Sequence, residues 1–593
     1  MFDHVFSPIT IKGKTIKNRF TVPAMVTDFC NEDGTATERY LAYHEEKAKG
    51  GWGLIITEDY NVSPEGHGFK CTAGLWNDGQ ISSHSELPKR VHRYGAVILA
   101  QIYHCGRQTN SGAIPGMKTR SSSAIMCPFG DQIPEPLSTE EVKEMVSRYG
   151  DTALRAKKCG FDGVELHGAH GYLIAQFFSP YANKRLDEYG GNFWNRTRFA
   201  REIIQDIRKK CGDDFIVGMR ISADEFVEGG LTVEDAKAIA VMMQDAGLDL
   251  IHVSIGTYLS VDLNIASSLS GHGWFADWGK AVKEAVHIPV ITVSRVNDPF
   301  LADEIIATGK CDLVAMGRAS LADPALPNKA KERRFCDIRR CIGCNDGCVG
   351  VLFMDHPITC VLNPMLGHEY EGEIETAPVK KKVAVVGAGP AGLYAAIAAA
   401  KRGHEVTVYE KGKHAGGNFY TASIPPCKGE ITDFIVWQTT QCRQLGVEIK
   451  YETEATAKLL KEEKADTVIL ATGSNPVVPP IPGLAESSRV CLAKDLLEGR
   501  VKPGAECVVI GGGQVGAETA HFLAQMLRKV TVLEMAGAIA ADTVVVAAGY
   551  RANNPLGEEL KDFGMDVKVV GDAVRARKVM HATREGFDAG RSI

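Results

Sequence analysis

Basic residues are not in excess in this chain: 67 Lys and Arg stand against 73 Asp and Glu among 593 residues, a net charge of −6. No Lys/Arg run stands out, so nucleic acid has no electrostatic footprint to follow. No apolar run reaches the roughly 18 residues that a spanning helix needs, so no helical membrane span is expected. The opening Met1-Phe2-Asp3-His4 lacks the basic and apolar regions of a signal peptide, and a cytoplasmic location is expected. Charged residues at 24% and hydrophobic residues at 45% leave no room for extended disorder. At roughly 150 residues per domain the length suggests about four units, fewer if one is a barrel.

A disulfide framework is also missing. Eleven of the sixteen cysteines are scattered, and the other five fall between Cys336 and Cys360. In a reducing compartment such a cluster reads as a metal or iron–sulfur site. Cys341-x-x-Cys344-x-x-x-Cys348, with Cys360 after eleven further residues, supplies four thiolates. They suit a [4Fe–4S] cluster or a structural zinc. Two separated Cys-x-x-Cys pairs, the commoner zinc pattern, are absent, and three close cysteines plus one distant favour the cluster. Cys336 reads as a bystander.

From residue 16 to about 330, apolar β-rich runs alternate with helical stretches. Eight strands are expected: Phe20–Pro23, Gly53–Thr57, Val97–Ile102, Gly163–Leu166, Ile216–Arg220, Asp249–Val253, Pro289–Val293 and Asp312–Met316. Helical patterns lie between most of them, such as Val142–Lys158 and Thr197–Lys209. Eight βα units over this length fit a (β/α)8 TIM barrel better than a Rossmann sheet, and catalysis in such barrels sits at the C-terminal strand ends. Those positions hold Met25, Glu58, Gln101 with His104, His167 with His170 and Tyr172, Arg220, and Gly317-Arg318.

The third region opens with an apolar strand running into Gly387-x-Gly389-x-x-Gly392, an Ala-rich helix, and a second strand ending at Glu410. The pattern recurs as Gly511-x-Gly513-x-x-Gly516 with Glu534, the third glycine preceding its acid by 18 residues both times. Such a fingerprint seats a pyrophosphate on a helix N-terminus and a ribose on the acid. Gly416-Gly417, Ala471-Thr472-Gly473 and Gly571-Asp572-Ala573 are further close-approach loops. Together they suggest FAD at the first fingerprint and a nicotinamide nucleotide at the second. The stretch from Glu369 to Lys382, acids followed by lysines, reads as a solvated linker.

In the barrel, the Gln101 amide offers donor and acceptor to a planar heterocycle. Arg220 offers charge to its electron-rich edge, and Gly317-Arg318 a phosphate site. His167 and His170, three apart, would polarise an unsaturated carbonyl, and Tyr172 would deliver a proton. A zinc pair or packed core histidines are the alternative; zinc needs a third ligand that the sequence does not place.

Pro23-Ala24-Met25, Gln101-Ile-Tyr-His104-x-Gly106-Arg107, Asp162-Gly-Val-Glu-Leu-His167-Gly-Ala-His170-Gly-Tyr172 and Ser179-Pro180-x-x-Asn183-x-Arg185 strongly resemble the old yellow enzyme family. The cysteine segment and two fingerprints resemble its long branch, which includes 2,4-dienoyl-CoA reductase, 2-enoate reductase, bile-acid-type enone reductases and trimethylamine dehydrogenase. The resemblance implies an FMN barrel over 1–335, a [4Fe–4S] segment over 336–370, an FAD domain over 371–490 and 542–593, and a shortened NAD(P)H domain over 491–541. It implies FMN contacts from Pro23, Ala24, Met25, Gln101, Arg220, Gly317 and Arg318, and catalysis by His167, His170 and Tyr172. It further implies FAD and NAD(P)H contacts from the glycines named above, Thr472, Glu410, Glu534 and Asp572. Electrons would pass from NAD(P)H, with NADH favoured by Glu534, through FAD and the cluster to FMN, and as hydride to an unsaturated small molecule. A homo-oligomer is left open. Amine dehydrogenation, with electrons passed to a carrier protein, is the alternative.

Two features depart from the family pattern. Met25 stands where trimethylamine dehydrogenase has the cysteine of Val-Pro-x-Cys, so non-covalent FMN is expected. Only seven residues, Met535–Ala541, separate Glu534 from Asp542, where the family has tens.

Overall fold

Strands buried on both faces read as unbroken apolar runs, and eight such runs close on one another here. The computed structural model describes residues 2–484, 486–534, 542–561 and 564–593. It divides into two compact units, residues up to 360 with 365–371, and 361–364 with 372–593.

In the first unit β1 (Phe20–Val22), β2 (Leu54–Asn61), β3 (Val97–Tyr103), β4 (Gly163–Gly168), β5 (Ile216–Ser222), β6 (Leu250–Ser254), β7 (Val290–Val293) and β8 (Leu313–Ala315) form a closed parallel barrel in sequence order. β8 pairs with β1 through Val314 and Phe20. Ile56, Leu99, Ile216, Leu250 and Ile291 fill its interior together with Ile11 and Ile16 of an N-terminal hairpin. α1 (Glu38–Lys49), α2 (Thr139–Cys159) and α3 (Arg198–Cys211) lie among the outer helices. α2 starts in a capping box of Ser138 and Glu141 and stops at Gly160 with φ 97°.

β2 departs most from expectation. It runs past Thr57 to Asn61, with a register irregularity against β3 between Ile56 and Asp59. A bulge re-aims side chains. Glu58 consequently turns away from the barrel mouth: its carboxylate accepts from Thr27 N, with Cys30 Sγ at 3.8 Å.

The linker reading also needs correction. Glu369–Glu371 forms a short 3₁₀ turn belonging to the first unit. Lys47, 1% exposed, lies 3.1 Å from the Tyr43 ring centroid, and Glu369 is its counter-charge. Burial drives both groups towards neutrality and each draws the other back. A buried ammonium needs a partner, and the acid supplying it lies far along the chain.

In the second unit β9 (Lys382–Val386), β10 (Glu405–Tyr409), β11 (Glu448–Lys450), β12 (Thr467–Leu470) and β17 (Asp566–Val569) form a parallel sheet in the order β11-β10-β9-β12-β17. A second parallel sheet contains β13 (Val490–Leu492), β14 (Glu506–Ile510), β15 (Lys529–Leu533) and β16 (Thr543–Val546), ordered β13-β16-β14-β15. The first fingerprint leads from β9 into α4 (Pro390–Lys401), the second from β14 into α5 (Gln514–Gln525). Met535–Ala541 lie outside the described residues. No helix among the described residues is long and apolar enough to cross a membrane.

Candidate active site and cofactor cradles

A cavity of about 250 Å³ opens among the C-terminal strand ends of the barrel. It brings together Pro23, Ala24, Met25, Gln101, His167, His170, Tyr172, Arg220, Gly317 and Arg318. Strand alternation explains the gathering: Gln101 on β3, His167 on β4 and Arg220 on β5 stand inside the last turns of their strands, and Arg220 pairs in register with His167. His104 is not in the lining; it is fully buried, and its Nδ1 accepts from Gly106 N at 3.0 Å.

The histidines and Tyr172 interlock. Ring centroids of His167 lie 5.0 Å from His170 and 4.6 Å from Tyr172. Nδ1 of His167 accepts from Ala169 N at 3.3 Å, which leaves Nε2 as the protonated donor. His170 adopts φ 57°, and its Nε2 sits 2.8 Å from Ser254 Oγ. Burial, with Arg220 adding to it, holds both imidazoles well below their ordinary pKa, so they are neutral hydrogen-bonding groups. Burial likewise pushes the Tyr172 hydroxyl well up and keeps it protonated.

Gln101 Nε2 donates to Glu165 at 2.6 Å, and the other Glu165 oxygen meets His252 Nδ1 at 3.0 Å. Among the described residues, Oε1 of Gln101 and Nε of Arg220 are buried without hydrogen-bond partners. An orphaned acceptor and an orphaned donor on two cavity-lining residues suit a ring carrying both N–H and carbonyl edges, as a flavin does.

Asp59 and Tyr258 are among the lining residues that sequence reasoning missed. Tyr258 places its hydroxyl 2.9 Å from that of Tyr172. Asp59 is 4% exposed, and burial raises its carboxyl to about 7, with Arg220 pulling it back and Glu165 pushing it further. The β2 irregularity was the only signal for Asp59, and strand parity read from the sequence points to Glu58 instead.

Cys341 and Cys348 line the same cavity. Cys348 stands on a π-helical turn, Asp346–Gly350, and Cys341 Sγ accepts from Gly343 N at 3.4 Å. Cys344 feels the charges of Cys341, Cys348 and Cys360, and Cys348 those of Cys341 and Cys360. Yet among the described residues no three His, Cys, Asp or Glu side chains could hold a single metal ion. Four thiols within electrostatic reach of one another are the donor set that a [4Fe–4S] cluster uses.

In the second unit a cavity of about 330 Å³ is lined by Gly387, Gly389, Glu410, Gly417, Thr472, Gly473 and Asp572. Gly387 has φ 103°, and a Cβ on Gly392 would lie 1.9 Å from Gly387 O, so strand and helix approach as only glycine permits. Glu410 accepts from Ala388 N at 2.8 Å and Gly412 N at 2.7 Å. The second fingerprint repeats this geometry: a Cβ on Gly516 would lie 1.8 Å from Gly511 O. Gly512 N there donates to Glu534 at 2.5 Å. Gly511, Gly513, Gly516 and Glu534 line neither of the two cavities.

A parallel eight-stranded barrel with such a cavity, joined in one chain to two fingerprint folds, defines a flavin-dependent oxidoreductase. The sequence profile of the NADH:flavin oxidoreductase / NADH oxidase family matches residues 4–336, and that of the pyridine nucleotide-disulphide oxidoreductases matches 381–540. The chain belongs to the NADH:flavin oxidoreductase family, in the long branch of the old yellow enzymes, and its relatives include enzymes named for reduction of C=C bonds. It is 42% identical to an NADH oxidase of Thermoanaerobacter brockii across 100% of both chains. That alignment spans 648 residues against 593 here, so the relative carries residues that this chain lacks. A cinnamate reductase of Clostridium sporogenes is 34% identical over 99% of each chain. The structure of a 2-naphthoyl-CoA reductase superposes with a TM-score of 0.96 at 31% identity, covering both chains fully. Dehydrogenases of methylated amines also stand among the relatives.

Proposed function

We propose that the chain is a cytoplasmic, NADH-dependent ene-reductase that saturates the C=C bond of an α,β-unsaturated carbonyl compound. The substrate would be an enoate, an enoyl- or dienoyl-CoA, or an enone such as a steroid or flavonoid. One observation carries the reading: two neutral imidazoles and a protonated phenol, from His167, His170 and Tyr172, face one cavity that also holds the unpaired atoms of Gln101 and Arg220.

A bound FMN would supply hydride chemistry at the β-carbon, and FAD and a [4Fe–4S] cluster would supply electron transfer from NADH. His167 and His170 hold the carbonyl oxygen and polarise the double bond. Tyr172 gives the proton to carbon, and Tyr258, in hydrogen-bond reach, replenishes it. Gln101 and Arg220 would hold the FMN ring, Gly317 and Arg318 its phosphate, and Pro23, Ala24 and Met25 its remaining edge. Cys341, Cys344, Cys348 and Cys360 would hold the cluster. Gly387, Gly389, Gly392, Glu410, Gly417, Thr472, Gly473 and Asp572 would hold FAD. Gly511, Gly513, Gly516 and Glu534 would hold the nicotinamide nucleotide. Glu534 favours NADH, because a carboxylate accepts from a 2′-hydroxyl and repels a 2′-phosphate.

An anaerobic absorbance titration tests the whole reading. Bleaching by NADH and recovery with one unsaturated carbonyl supports it; no recovery with any enoate, enoyl-CoA or enone refutes it. Amine dehydrogenation is the second reading, favoured by the bare carboxylate of Asp59 in the cavity. Bleaching by a methylated amine without NADH would establish that reading instead.

A further inference from the structure

We infer that a wall of aromatic rings on the proton-donor side of the cavity selects substrates that carry a flat aromatic ring beyond the double bond, rather than an aliphatic chain or a saturated ring. The inference deepens the ene-reductase reading and rests on it for the direction in which the substrate lies.

The stretch after β2 supplies Phe69, that after β3 Phe129, that after β4 Tyr172, that after β6 Tyr258, and the chain after Cys348 Phe353. Ring centroids step 5.8 Å from Tyr172 to Tyr258, then 5.8 Å to Phe129 and 5.9 Å to Phe353. Phe353 lies 6.1 Å from Phe129 and 5.8 Å from Phe69. Each spacing falls where aromatic pairs attract. Phe69, Tyr172, Tyr258 and Phe353 line the same cavity as His167 and His170. The inner end of the wall is buried, with Tyr172 at 6% exposure, whereas Phe129 and Phe353 are 53% and 38% exposed. Exposed ring surface continuous with a reaction cavity marks where the apolar part of a ligand is covered. The wall has little to offer a polar group: the hydroxyls of Tyr172 and Tyr258 meet each other at 2.9 Å, and the other three rings are phenylalanines. With the carbonyl held at His167 and His170 and the proton leaving Tyr172, the rest of the substrate runs along Tyr258 towards Phe353 and Phe129. An aromatic ring there adds edge-to-face attraction to its burial, and a saturated ring of the same size gains burial alone.

The test compares benzylacetone with its cyclohexyl analogue, two ketones without a C=C bond to reduce. Their affinities for the flavin-loaded protein are measured by titration calorimetry. Benzylacetone is expected to bind about fivefold tighter or more, although the cyclohexyl ring is the more apolar of the two. The double variant Phe129→Leu/Phe353→Leu keeps apolar volume and should bring the two affinities to within about twofold. Equal affinities in the wild type, or a tighter cyclohexyl ligand, overturn the inference without recourse to any variant. So does an unchanged preference in a double variant that keeps its flavin content and melting temperature. Equal affinities together with self-association that the double variant abolishes would assign the rings to a second copy of the chain instead. Turnover of benzylideneacetone and its cyclohexyl analogue is recorded alongside. If neither is reduced, the ene-reductase reading fails, while the binding comparison still decides the role of the wall.

Discussion

Replacing Tyr172 by Phe separates the proton from the electrons. The ring is 6% exposed and packed edge-on against His167 and Tyr103, so Phe keeps those contacts and loses one oxygen. The lost hydroxyl leaves Tyr258 without its partner at 2.9 Å, at a cost of about 1 kcal/mol in stability, too little to unfold the barrel. The chemical cost is larger. A positioned general acid is worth about 100- to 10,000-fold, or about 3 to 5 kcal/mol of barrier. Because burial holds the hydroxyl well above its ordinary pKa, it is a proton donor across the neutral range and no base competes for that role. Two stopped-flow experiments read the outcome. Bleaching by NADH should keep its rate within about twofold, since no proton passes to carbon there. Reoxidation by the unsaturated acceptor should slow by about 100-fold or more. Tyr258→Phe should slow the same step by about tenfold or less, because the donor itself remains. Reoxidation at the wild-type rate in Tyr172→Phe would refute the assignment, and equal loss of both half-reactions would show structural damage instead.

Gly392→Ala puts a methyl 1.9 Å from Gly387 O and should empty the FAD site while FMN stays; the ratio of the two flavins released by acid reads this directly. Acid should also release all FMN from the wild type, since the Met25 thioether forms no link to it. Cys344→Ser should abolish bound iron and acid-labile sulfide and leave both flavins, so that NADH bleaches only the FAD fraction; retained iron would point to other ligands. Glu58, raised by burial from the ordinary carboxylate range to about 8, stabilises the fold when protonated. That contribution is full below its unfolded pKa and fades as pH rises through about 8. The melting temperature of the apoprotein should therefore fall between about pH 5 and pH 9, and fall less in Glu58→Gln. An identical slope in both proteins would remove Glu58 as the cause.

What the sequence made legible follows from how each feature is encoded. A parallel strand buried on both faces must be apolar throughout, so all eight barrel strands stood out, and with them the mouth where Gln101, His167 and Arg220 gather. His167, His170 and Tyr172 occupy one short segment, so their grouping needed no tertiary information. The two fingerprints carry their geometry in glycine spacing. Features made between segments left no such trace. Tyr258 reaches Tyr172 from a loop without periodicity, and Glu369 meets Lys47 from a stretch that looks like linker. Asp59 is the instructive case. One register irregularity in β2 exchanges the facing of Glu58 and Asp59, two adjacent acids of which either could have faced the cavity. Either acid would have brought a carboxyl group to the cavity; the irregularity brings the shorter one, within electrostatic reach of Tyr172 and Tyr258. Which of the two acids lines the cavity is thus written by the backbone of one strand rather than by which residue types the strand contains.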